Sequence, residues 1–300
     1  MQLFSYLIGM NKINVNDAIF LQAVEAIDTG NISLLKDLLD KHPRLVHNRA
    51  GTPDEEGYFK DPYLLWFVAD NPIRHPKLPA NITEITASII QKQKQENVST
   101  MQFQLDYTLG LVATGRIARE SGVQIALMDL LIDEGATPGK GAGALAHGNK
   151  EAAAHLIERG GQLTLSVALG LDRMNDVMRL LNDASVSEKQ TALMTAAFYG
   201  KADMIDLLLK HGADPNGFIE SPSGFHSHAS PLHQAVASGS LESVKRLVEA
   251  GASRDVTDKI YEGTPLEWAL HMQAQETATE EEKEKYAAVA AYLSTVDGQL

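Results

Sequence analysis

The chain has 300 residues, 44% of them hydrophobic and 22% charged, with a formal charge of −13. That balance suits a folded protein in water and argues against nucleic acid or anionic membrane as partner, since both are held through clustered Lys and Arg. Cysteine is absent, which excludes disulfides and thiolate metal centres.

The first ten residues, M-Q-L-F-S-Y-L-I-G-M, are apolar but have neither the basic start nor the small-residue cleavage site of a secretion signal. They read as a short arm packed on the first helix pair, or as a lead-in to a natural start at Met10. No segment has the unbroken apolar length of a membrane span, and the protein is expected in the cytoplasm. Asn16 opens a helix through Ile27, and Thr29-Gly30-Asn31 turns the chain. Leu34, Leu35, Leu38 and Leu39 then mark a second helix before Pro43. After a long polar connection, Asp61–Ala69 and a helix capped at Asn81 make a second pair. The latter carries Ile82, Ile85, Ile89 and Ile90 on one side and ends in a solvated run, Q-K-Q-K-Q-E-N. Trp66 and Phe67 are expected to fill core space.

Tyr107–Thr114 with Val123–Asp133 makes a third pair, ending at Gly135-Ala136-Thr137-Pro138. Arg116, Arg119 and Glu120 in its turn are expected on the outer surface. A fourth pair runs from about Gly141 to Arg159 and a fifth from Leu163 to Leu181; starts at Thr191, Ser230 and Thr264 open three more. The clearest runs from Ser230 to Asp255. Ser230 is a natural N-cap and Pro231 sits at the first helical position. Leu232, Ala235 and Val236 share one face before Gly239. Ser240 caps the next helix, whose stripe is Leu241, Val244, Leu247 and Val248, and Gly251 ends it. Neither helix can bury its stripe alone, so each pair needs neighbours on both sides.

The residues S-P-L-H-Q-A and L-V-E-A-G-A in this stretch resemble the ankyrin repeat, as do Thr191–Asn216 with G-A-D-P-N and the start at Thr264-Pro265-Leu266. The resemblance implies an all-α ankyrin-repeat solenoid of about seven to eight helix-turn-helix units with short β-hairpin fingers. It also implies a single domain over 1–300: a capping repeat and long loop (1–60), divergent repeats (61–185), close-to-consensus repeats (186–258) and a C-terminal capping repeat (259–300). Gly115 and Gly148 lie 33 residues apart, the ankyrin period. Gly148 and Gly170 are only 22 apart, so the finger between them is expected to be missing. Gly200 and Gly239 are 39 apart, so the finger over 217–229 is expected to be longer. Thr279-Glu280-Glu281-Glu282 forms a capping box for a last helix. The stretches D-P-Y-L-L-W-F-V-A-D-N-P and G-F-H-S-H-A-S-P-L-H-Q-A-V are similar to those of bacterial single-domain ankyrin proteins without assigned activity.

Chemical motifs are scarce. Gly139-Lys140-Gly141 lacks the Ser or Thr and the preceding strand of a phosphate loop, and reads as a turn. No metalloprotease helix, nucleophile elbow or cysteine nucleophile is present, so no enzyme activity, cofactor or metal is assigned. One alternative is a small-ligand or metal site made by His226, His228 and His233 with Glu220. Against it, the resemblance implies that His233 ties its helix start to loop backbone by hydrogen bonds.

The resemblance further implies binding of another protein through a concave face and finger tips. Counting to the last turn of each inner helix places Ala113-Thr114, His147, Phe198, Tyr199, Ala237-Ser238 and His271 on that face. Aromatic residues at such positions are enriched anchors, which singles out Phe198 and Tyr199. Tip candidates are Phe225, His226, Lys259 and Tyr261, with Tyr58, Phe59 and Lys60 toward the N-terminus.

Overall fold

Helix after helix in this chain stops at a residue whose backbone turns left-handed. At Gly200 (φ 64°) a Cβ would also stand 2.9 Å from Ser240, so only glycine makes that turn without strain. The computed structural model describes residues 17–50, 61–71, 73–219, 225 and 227–295, which are all-α with no strand among them. They form two compact units. One holds the described residues up to Ala144 together with Glu151–Gln162; the other holds Leu145–Lys150 and the described residues from Leu163 on.

The first unit opens with α1 (Ala18–Asp28) and α2 (Ile32–Lys41), whose N-caps Asp17 and Asn31 accept backbone N–H groups of the first turn. A one-turn α3 (Arg44–His47) follows Pro43. Instead of the α-helix expected over Asp61–Ala69 there is a 3₁₀ helix, Leu64–Ala69, with all of its side chains buried. It is closed by Asp70, left-handed at φ 47°, whose N–H donates to Phe67 O and stops the turn from widening. Trp66 and Phe67 fill core space as expected, and Phe67 meets Phe20 edge-on at 5.5 Å.

Next come α4 (Ile82–Gln95), α5 (Met101–Thr114), α6 (Arg116–Glu120) and α7 (Gln124–Asp133). Asn81 does not cap α4 with its side chain. Its amide donates to Gly30 O at 2.9 Å and ties α4 to the α1–α2 turn. Nor is the end of α4 solvated throughout: Gln93 is fully buried and donates to Gln104 Oε1 at 2.7 Å, while Gln104 donates to Val46 O at 3.1 Å. A buried amide without such partners would cost about 1–3 kcal/mol. Arg116 and Glu120 are exposed and pair with each other across one turn. Two short helices follow, α8 (Ala142–Ala146) and α9 (Lys150–Glu158).

The second unit stacks α10 (Leu165–Gly170) and α11 (Met174–Leu181), α12 (Val186–Phe198) and α13 (Ala202–Lys210), α14 (Pro231–Ala237) and α15 (Leu241–Glu249), then α16 (Pro265–Gln273) and α17 (Glu280–Thr295). Leu193, Ile205, Leu208, Leu232, Val236, Leu247 and Val289 run through one apolar core. Each such side chain contributes about 1.5–3 kcal/mol by leaving water. Ser230 and Ser240 cap their helices, and Thr264 and Thr279 form boxes with Glu267 and Glu282. Thr191 is not a helix start. α12 begins six residues earlier, at Ser185 and Glu188, which exchange hydrogen bonds as a capping box. Gly170 likewise lies within α10, where a Cβ would come 2.6 Å from Leu145 Cδ1. The turn residue of that pair is Asp172, left-handed at φ 60°. The expected hairpin fingers are turns among the described residues. Asn216 takes over the cross-loop pairing, donating to Gly251 O at 2.9 Å and accepting from Ser253 N at 2.7 Å.

Candidate functional site

At the end of α12 in the second unit, Phe198 closes the helix and Tyr199 follows as its C-cap. The two rings meet edge-on at 5.1 Å, and Phe225 packs on the other side of Phe198 at 5.2 Å. Phe225, expected at an exposed tip, is instead buried and packs against Phe198. Tyr199 remains partly exposed. Its hydroxyl donates to Leu145 O at 2.7 Å, and Lys150 and Lys201 bring their ammonium groups to 4.9 and 5.9 Å from its ring.

Both lysines hold Asp172: Lys150 Nζ lies 2.8 Å from one carboxylate oxygen and Lys201 bonds the other. Hydrogen bonds from Lys150 and then Lys201 hold the Asp172 carboxyl below its ordinary range. Burial, with Asp172 nearby, pushes the Tyr199 phenol up to about 12. A cavity of about 370 Å³ shares Asp172 and Lys201, and Leu169, Met174, Val177, Met204 and the acidic Asp203 also line it. Met174 is exposed, and thioether side chains adapt to irregular apolar surfaces.

Neither Lys150, Lys201 nor Asp172 stood among the residues expected at the site. A signal was present: Lys150 and Lys201 each come just after an inter-helix glycine, Gly148 and Gly200. Spacing alone does not say that two such lysines converge on one carboxylate.

A second group surrounds Trp268. His233 lies 5.0 Å from its ring and His228 6.1 Å, with Tyr261 5.8 Å from His228. Asp258 is buried and accepts Trp268 Nε1–H at 3.0 Å along with the N–H groups of Ile260, Tyr261 and Gly263. Burial alone would raise its pKa, but these hydrogen bonds outweigh it and hold the carboxyl low. His233 is fully buried, with Nδ1 2.8 Å from Ser230 Oγ and Nε2 2.9 Å from Gly263 O. Both ring nitrogens are spent on the helix start and the next loop, which removes His233 from any metal set. Burial lowers the pKa of His233 and of His228. Tyr261 is exposed, Lys259 Nζ covers the Phe218 ring at 4.2 Å, and His271 Nε2 accepts from Gln275. His147 is exposed after α8. Tyr58, Phe59, Lys60, Glu220 and His226 lie outside the described residues.

In the first unit, ligand atoms of Asp28, Asp70 and His75 lie within 4.8 Å of one another, the spacing of a cation site. Arg74 already serves that role. Its guanidinium donates to both Asp28 oxygens at 2.7 and 3.2 Å, to Phe67 O at 3.0 Å, and lies 3.4 Å from Asp70. No described helix is long and apolar enough to cross a membrane.

Residues 117–258 match the family model described as ankyrin repeats (3 copies). Among solved structures, the human ASB11 ankyrin repeat domain is 15% identical, covering 95% of this chain and 100% of that one, with a TM-score of 0.35. The ankyrin repeat domain of Bcl-3, a member of the IkappaB protein family, is 18% identical, covering 74% of this chain and 97% of that one, with a TM-score of 0.31. No curated protein matches.

Proposed function

From the premise that this chain carries ankyrin repeats, generally protein-interaction modules, we propose a non-enzymatic cytoplasmic scaffold that binds another protein. In this reading the array is one domain over 1–300, and its partner contacts are Phe198, Tyr199, His147, His271 and Tyr261, together with Tyr58 and His226. The observation that carries it is the state of Tyr199. The ring sits at a helix end with its hydroxyl already tied to Leu145 and two ammonium groups against it, beside a cavity of mixed polar and apolar lining. A large aromatic side chain held in one orientation binds with little further loss of freedom. Phe225 acts in this reading as a support and not as a contact.

The test is capture of partners from the native cell on immobilised full-length protein. Tyr199→Ala and Lys150→Ala should each lose a captured protein that a control variant of the exposed Arg116–Glu120 pair retains. Equal capture by all three would refute the assignment. The alternative metal or small-ligand reading has lost His233, and titration of the full chain with zinc should show no saturable heat.

A further inference from the structure

In the first unit three aromatic rings gather around a single cation, with a fourth stacked on one of them. The guanidinium carbon of Arg49 lies 4.6 Å from the Tyr63 ring centroid, 5.5 Å from Trp66 and 5.7 Å from Phe103. Tyr107 backs the group, stacked on Trp66 at 4.1 Å, while Tyr63 meets Trp66 edge-on at 5.4 Å. One guanidinium nitrogen also donates to Asp61 O at 3.0 Å and lies 3.4 Å from the Asp61 carboxylate. The rings supply negative faces and Asp61 supplies the acceptors, so the cradle complements a planar cation that donates hydrogen bonds. A guanidinium fits that description, and a compact ammonium would leave the planar stacking unused.

Two features set this apart from an ordinary surface arginine. Phe103 is 48% exposed, an unusual position for a ring with no polar atom. Arg49 is itself over a third exposed, so it can leave the rings for water without crossing packed protein. We propose that the Tyr63–Trp66–Phe103–Tyr107 cradle is an arginine-binding site that Arg49 covers in the free protein, and that an arginine of a basic partner segment displaces it. The chain's formal charge of −13 draws a basic segment toward it. While Arg49 occupies the rings, the affinity for an incoming arginine is reduced by the fraction of time the cradle is open. The proposal concerns the first unit and does not depend on the role given to Tyr199.

The test uses the full chain and three small probes: N-acetyl-arginine methylamide, its citrulline isostere and the trimethyllysine counterpart. In the unmodified protein the Nε–H resonance of Arg49 should be ring-current shifted and should move toward its solvent value as the arginine probe is added. Arg49→Ala should bind that probe at least about tenfold more tightly than the unmodified chain, as expected for removal of an internal competitor. Arg49→Gln, which keeps the side-chain stem, provides the same comparison if the alanine variant does not fold. Phe103→Ala, at a half-exposed site, should weaken the probe in either background, and citrulline should not bind. Equal affinity with and without Arg49, binding of citrulline, or preference for trimethyllysine would overturn the assignment.

Discussion

The hydroxyl of Tyr199 donates to the carbonyl of Leu145 at 2.7 Å, joining the end of α12 to α8. Tyr199→Phe removes one of two donors to that carbonyl, the Gly148 N–H remaining at 2.8 Å, while keeping the ring against Lys150 and Lys201. Urea unfolding should show a loss of about 1 kcal/mol, the net worth of one hydrogen bond. Capture of a partner should survive this change and fail in Tyr199→Ala, because the ring makes the proposed contact.

The same phenol titrates late. Its ordinary pKa of 10.0 is raised to about 12, so between those values the unfolded chain gives up this proton first. The native state then binds more protons, and stability falls as pH rises through that window, with no contribution to the slope below it. Phenolate absorbance should show a late-titrating component that Tyr199→Phe removes.

His233 shifts the opposite way. Burial lowers its pKa below the ordinary 6.5, so acid protonates the unfolded chain first. The stability it confers is present above about pH 6.5 and is lost as pH falls toward the depressed native value. Midpoints of urea unfolding should therefore fall between about pH 7 and pH 5, with His228 adding to the effect. His233→Ala should cost about 3 kcal/mol at neutral pH and flatten that dependence.

Ser185 and Asn81 show how far residue patterns reach. Ser230, Ser240 and Thr264 were legible as helix starts because each stands directly before an apolar stripe, and Thr279 because Glu282 completes its capping box. Ser185-x-x-Glu188 has the same form, but the repeat-like letters at Thr191 compete with it and only the complete α12 shows which begins the helix. Asn81 reads as a cap from its local sequence, yet its partner, Gly30, belongs to another helix pair. The candidate site divides similarly. Tyr199 was legible from its place at a helix end, whereas the convergence of Lys150 and Lys201 on Asp172 depends on stacking of successive pairs.

Arg74 neutralises Asp28 and Asp70, and all three side chains are at least nine-tenths buried. Arg74→Met should cost about 3–5 kcal/mol at neutral pH by leaving two carboxylates without their cation. Burial, the largest influence on Asp70, raises its pKa above the ordinary 3.8, so falling pH neutralises it ahead of an ordinary aspartate. The penalty should shrink as pH falls toward the carboxylate range, measured as the difference in urea midpoint between variant and parent.

The buried amides carry a consequence for assembly. Helix pairs of similar length and pattern could stack in a slipped order with much of their apolar surface still covered. Gln104 finds Val46 O and Gln93 only when neighbours come in sequence. A misordered stack would strand these amides away from water, so they act as a proofreading key during folding.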